Sequence, residues 1–129
     1  MLLLLDTHLL VWTAHRPERL PGEARRLIAD GANTPAFSSA SVWEVAIKTA
    51  RGRESFRVDA AELRSGLLAA GYREIAVTGE HAIAGGRLPP LHKDPFDRIM
   101  VAQAQVERAT LLTADAAVAR YAGPVRFVA

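Results

Sequence analysis

Four acidic residues carry the chemistry this sequence offers: Asp6, Glu44, Asp97 and Asp115. Asp6 stops the apolar run "LLLLD", and Glu44 reads as the third helical residue of "SVWE". Asp97 reads as the third helical residue of "DPFD", and Asp115 begins the helix expected of "TADAAVARY". Each also suits a helix N-terminus. Ser41 and Glu44 have the spacing of an S-x-x-E capping box. Asp94, followed by Pro95, has the form of an N-cap with proline at the first helical position. Asp6 and Asp115 fit caps or the positive end of a helix dipole. Gathered in one cleft, the four carboxylates would repel one another and some would hold protons, unless a cation offsets the charge. A hard divalent ion such as magnesium or manganese takes oxygen ligands and keeps waters for a substrate phosphate.

Whether the acids meet depends on the elements that carry them. The pattern predicts strands at Leu2–Leu5, Ala36–Ser39, Arg73–Val77, Thr110–Thr113 and Val125–Val128. It predicts helices at Thr7–Ala14, Pro21–Ala29, Ser41–Ala50, Ala60–Ala70, Glu80–Gly86, Pro95–Glu107 and Ala114–Tyr121. In Pro21–Ala29 the residues Ala24, Leu27 and Ile28 share a face, and in Ser41–Ala50 the inward spacing falls on Val42, Val45, Ala46 and Thr49. The paired prolines of "RLPPLHK" make that segment a loop. Alternating strands and helices imply an α/β domain over residues 1–129, with a mostly parallel sheet of four to five strands covered by helices on both faces. Helices that follow such strands start along one edge of the sheet, where ligands bind. Asp6, Glu44 and Asp115 each follow a strand and fall on that edge. Asp97 follows a loop, and its N-terminal position in a strong helix places it there by inference.

At 129 residues the chain has room for one core. Half of it is apolar and 23% charged, the composition of a globular protein, and no apolar run is long enough to span a bilayer. A secretory signal is not expected, because no basic segment precedes the leucines. With no cysteine, disulfides, thiolate catalysis and cysteine zinc sites are excluded, which fits a reducing cytoplasm. The net charge is only +2, yet arginines crowd "HRPERLPGEARRL" and "KTARGRESFR", permitting a polyanionic partner.

At these motifs the sequence resembles the PIN-domain nucleases, and most of all the ribonuclease toxins of VapC-type toxin–antitoxin pairs. The matching segments are "LLLDTHLLVW", "SSASVWEVAIKTARGR", "LHKDPFDRIMVAQA" and "LLTADAAVARY", in that order along essentially the whole chain. The resemblance implies a PIN-like fold and an acidic quartet of Asp6, Glu44, Asp97 and Asp115 around magnesium or manganese. It also implies RNA hydrolysis, a cognate antitoxin and a homodimer. "RGRESF" departs from the Gly-Lys-Leu run of relatives, which touches substrate contacts rather than the metal site.

Several neighbours carry two readings. Thr113 is either a hydrogen-bond partner of a metal ligand or a strand-end residue bonded to backbone. Lys48, four residues after Glu44, is either its ion-pair partner or a phosphate contact, and Arg51 shares that helical face. Arg98 either reaches phosphate or covers the sheet edge. His8 and His92 suggest acid–base roles, with His8 better suited to ordering the first loop. Trp12 and Trp43 read as core or interface residues. Against a metal-dependent ribonuclease stand a non-catalytic RNA-binding module, an aspartyl-phosphate phosphatase and a flap-type DNA nuclease. The phosphatase needs an acid two residues after Asp6, where His8 stands, and the flap nuclease needs large insertions.

Overall fold

A computed structural model of the chain describes residues 1–52 and 57–129, so most of "RGRESF" lies outside the described residues. The elements in order are β1 (Leu2–Leu5), α1 (Thr7–His15), a 3-10 turn (Pro17–Arg19), α2 (Gly22–Ala29), β2 (Thr34–Ser38) and α3 (Ser39–Ala50). There follow α4 (Ala60–Ala69), β3 (Arg73–Ile75), α5 (Gly79–Gly86), α6 (Pro95–Glu107), β4 (Thr110–Thr113), a second 3-10 turn (Val118–Arg120) and β5 (Val125–Phe127). The five strands form one all-parallel sheet in the order β3-β2-β1-β4-β5.

The leucine run is explained by burial on both sides of the sheet. Leu3, Leu5, Phe37 and Leu112 pack into the core beneath α1, α2 and α4. Leu4, Ala36 and Leu111 point the other way, into the core formed with α6. Successive side chains leave opposite faces of a strand, so a central strand covered twice must be apolar at every position. The chain runs outward from β1 through β2 to β3, then returns to place β4 on the other side of β1. The direction of winding therefore reverses between β1 and β4, which opens a crevice at their carboxyl ends. The Asp6 N–H extends the ladder there, donating to the Leu112 carbonyl at 3.0 Å.

Two local readings are corrected. Helix α3 starts at Ser39, with Ser38 as its N-cap accepting from the Ala40 N–H, so Ser41 and Glu44 lie inside the helix and form no capping box. Its inward face is Ser41, Glu44 and Val45, whereas Ala46 is exposed. The helix expected at Ala114–Tyr121 is only the 3-10 turn Val118–Arg120. Here the Asp115 side chain takes the Ala117 N–H and its carbonyl takes the Ala119 N–H, and the chain then tightens into the 3-10 turn. Gly123, at φ 101°, and Pro124 then turn the chain into β5.

Phe37 is fully buried in β2. Phe37→Ala is expected to cost about 3–5 kcal/mol of stability, read from the urea midpoint; a shift near zero would contradict this core.

Candidate active site

Thr113, the last residue of β4, ties the two central strands together at the crevice. Fully buried, it donates from Oγ1 to Asp6 Oδ2 at 2.6 Å and accepts from the Asp115 N–H at 3.0 Å. The hydroxyl thus serves a side-chain carboxylate and the backbone at once. Asp6 likewise does two things: Oδ1 caps α1 by accepting from the Leu9 N–H at 2.9 Å, while Oδ2 meets Thr113. Burial pushes the Asp6 carboxyl above the ordinary carboxylate range, and the bonds from Thr113 and Leu9 pull against that shift. Exposed Asp115 shares a cavity of about 340 Å³ with Asp6, His8 and Trp12.

Glu44 reaches the same edge from α3 and is 3% exposed. Thr7, the first residue of α1, donates to Glu44 Oε1 at 2.6 Å and lies 2.9 Å from Ser41 Oγ. Lys48 pairs with the other carboxylate oxygen. Sequence reasoning missed Thr7. Its only signal was a polar side chain beside Asp6, between two apolar runs, and nothing local connects it to a helix 37 residues away.

Asp97, on the first turn of α6, sits 2.7 Å from His92 Nε2. Asp94 caps this helix, accepting from the Phe96 N–H at 2.9 Å, with Pro95 at the first helical position. Burial drives the Asp97 pKa from 3.8 up to about 7; the neighbouring Asp94 charge and, less strongly, Glu44 add to the rise, and the His92 bond opposes it. Among the described residues, His92, Asp94 and Asp97 are the one trio of metal-ligating side chains with donor atoms all within 4.8 Å of one another. The structure thus brings Asp6 and Asp115 to one cavity and sets Glu44 within electrostatic reach of Asp97, without closing the four acids to that distance. The donor chemistry fits a hard cation: carboxylate oxygens, with one imidazole beside them.

The remaining residues sort by their contacts. Arg98 donates to the carbonyls of Gly85, Leu88, Pro89 and His92 and to the Tyr121 hydroxyl. Its guanidinium therefore clamps the proline-rich loop that presents His92 to Asp97. Arg51 is exposed at the C-terminal cap of α3, about two helical turns from Glu44. His8 stacks at a tilt on half-buried Trp12, with ring centroids 6.1 Å apart. Trp43 is 64% exposed, which removes it from the core, and it meets Phe96 edge-on at 5.5 Å.

A parallel sheet of this order, with acids gathered where its winding reverses, defines a class of α/β domain. The chain belongs to the PIN-domain family, whose model matches residues 3–124. Its fold is similar to that of VapBC2 from Rickettsia felis, solved bound to a promoter DNA fragment, at TM-score 0.73, 19% identity and full coverage of both chains. It is also similar to a toxin–antitoxin complex from Klebsiella pneumoniae (TM-score 0.65, 19% identity, 95% of this chain and 94% of that one). A third similar structure is Mycobacterium tuberculosis VapC20, described as a sarcin-ricin loop cleaving toxin (TM-score 0.64, 16% identity, 93% and 96%). No relative among curated protein sequences matches the chain significantly. No helix among the described residues is long and apolar enough to cross a membrane.

The raised Asp97 pKa sets a pH dependence for the metal-free protein. A carboxyl whose folded pKa lies above its unfolded value favours folding when protonated; that contribution is full below about 4 and is lost as pH rises through about 7. The raised Asp6 carboxyl acts in the same direction. In chelator, the melting temperature of Asp97→Asn is expected to fall less than that of the parent between pH 5 and pH 8. Parallel curves for the two proteins would count against the raised pKa.

Proposed function

We propose that this protein is a metal-dependent ribonuclease and the toxin of a toxin–antitoxin pair, with magnesium or manganese held by Asp6, Glu44, Asp97 and Asp115. The observation that carries this reading is the arrival of four acids from separate elements at the carboxyl edge of one sheet, three of them partly or fully buried. Buried carboxylates at such an edge are costly without a cation, and membership of the PIN-domain family supports a nuclease reading. The likeness to structures of toxin–antitoxin complexes supports an antitoxin partner.

When bound, a divalent ion would lower the pKa of a coordinated water and neutralise charge growing on the phosphate. The chain's own residues do the rest. Thr113 and the Leu9 N–H fix the Asp6 carboxylate, and Thr7 and Lys48 fix Glu44, which accepts a hydrogen bond from the attacking water and orients it. Arg51 extends from the same helix toward the substrate phosphates. The water gives up a proton to bulk water and its oxygen bonds to phosphorus as the bond from phosphorus to the 3′ oxygen breaks, and that oxygen takes up a proton from bulk water. The products are 5′-phosphate and 3′-hydroxyl ends. Because the RNA 2′-hydroxyl is not the nucleophile, preference for RNA comes from shape and from contacts to that group. The antitoxin silences the site by laying an apolar segment on the protein and a basic side chain in the acidic cleft. The protein works in the cytoplasm as a two-fold dimer, and exposed Trp43 and Ile83 are apolar groups suited to such a contact.

Labelled RNA incubated with and without magnesium tests the activity. Cleavage should stop in excess chelator, and product ends should carry 5′-phosphate and 3′-hydroxyl. A cyclic 2′,3′-phosphate would overturn the mechanism and move the search to His8 and His92; RNA binding with no turnover would leave only a binding module. Asp97→Asn should stay folded yet lose both cleavage and calorimetric manganese binding, because it removes a ligand while relieving repulsion. In cells, expression alone should arrest growth and co-expression of the adjacent small gene product should restore it.

A further inference from the structure

The two arginine-rich segments of the sequence meet at a single cavity. About 690 Å³ in volume, it is lined by Arg16 and Arg19 from the first segment and Arg57 from the second, with His15, His8 and Trp12. No carboxylate among the described residues lines it. His8 and Trp12 also line the cavity that holds Asp6 and Asp115, so the basic cavity adjoins the acidic one across a shared wall. Its volume lies within the roughly 300–1,000 Å³ of sites that take a nucleotide-sized ligand.

Both sides of the cavity are held by the fold. The Arg16 N–H closes α1 on the Trp12 carbonyl at 2.8 Å, and the Arg19 N–H bonds the Arg16 carbonyl at 2.9 Å. Arg25, from α2, donates to the Pro17 carbonyl at 2.7 Å and braces the 3-10 turn between the two arginines. Opposite, Thr49 of α3 donates to the Val58 carbonyl at 3.0 Å and anchors the backbone beside Arg57. Arginine forks bind phosphate in pairs of hydrogen bonds, and an aromatic wall beside them accepts an unpaired base.

We propose that this cavity binds the phosphates of a single-stranded RNA flanking the bond to be cut, with a base against Trp12, so that the strand runs along α1 from the acidic cleft into the arginines. The inference rests on the nuclease reading above and gives it a substrate path. The favoured ligand is RNA rather than an antitoxin segment because five of the eight lining residues are basic, three of them arginines, and the cavity adjoins the acid site, whereas the apolar part of the lining is only Val11, Trp12 and Val58.

The test is fluorescence anisotropy of a short labelled single-stranded RNA in chelator, where no turnover occurs, for the parent protein and for Arg16→Ala/Arg19→Ala. The double variant is expected to bind at least about tenfold more weakly, and its logarithmic salt dependence should flatten by about 1.4, or 0.7 for each lost phosphate contact. Manganese binding should be unchanged, which shows that the acid site remains folded. Arg16→Lys/Arg19→Lys should recover most of the salt dependence. Arg64→Ala, whose guanidinium is committed to Glu74 on β3, should match the parent. Unaltered RNA affinity in the alanine variant overturns the path but leaves the nuclease reading standing. A variant that keeps RNA but loses the antitoxin assigns the cavity to the protein partner and also overturns it. If the parent itself binds no RNA, the nuclease reading fails first and the path fails with it.

Discussion

The bond from Thr113 to Asp6 joins the sheet's geometry to its chemistry. A buried carboxylate must be hydrogen-bonded, because an unsatisfied charge in a low-dielectric interior costs several kcal/mol. Asp6 meets that demand from two directions, with the Leu9 N–H on one oxygen and the Thr113 hydroxyl on the other. The first contact starts α1 and the second locks β4 beside β1. Since Thr113 also accepts from the Asp115 N–H, the turn carrying the last acid hangs on the same hydroxyl.

Glu44 and Asp97 are supported in a similar way from different elements. Thr7 holds Glu44 across to α3, and the loop bearing His92 holds Asp97 on α6. That loop has little regular structure of its own, with prolines at 89 and 90. Arg98 compensates by gathering four of its neighbouring carbonyls, a use of one planar guanidinium that lysine could not reproduce. The arginine beside an acid thus shapes the site through the backbone it holds.

Charge is distributed unevenly even though the net value is only +2. Carboxylates collect at the carboxyl ends of β1 and β4, while the arginines and histidines at the end of α1 face a separate cavity. A small net charge can therefore conceal adjoining fields of opposite sign, one suited to cations and one to phosphates.

The sequence by itself determined the parallel sheet and most of the elements around it. The run Leu2–Leu5 specified a strand buried on both faces, and Asp94 with Pro95 specified where α6 begins, because these signals act through backbone periodicity and local capping. The chemical types of the candidate site were legible for the same reason: acids after strands fall on one edge of a parallel sheet. Tertiary structure alone decided which groups touch. Thr7 met Glu44, Ser41 turned inward and Ala46 outward, and Arg98 became a clamp, since each depends on contacts between residues distant in the chain. The segment after Asp115 forms a 3-10 turn where its pattern predicted a helix. Local signals set how the backbone starts and stops; partners brought by the fold set what each polar side chain does.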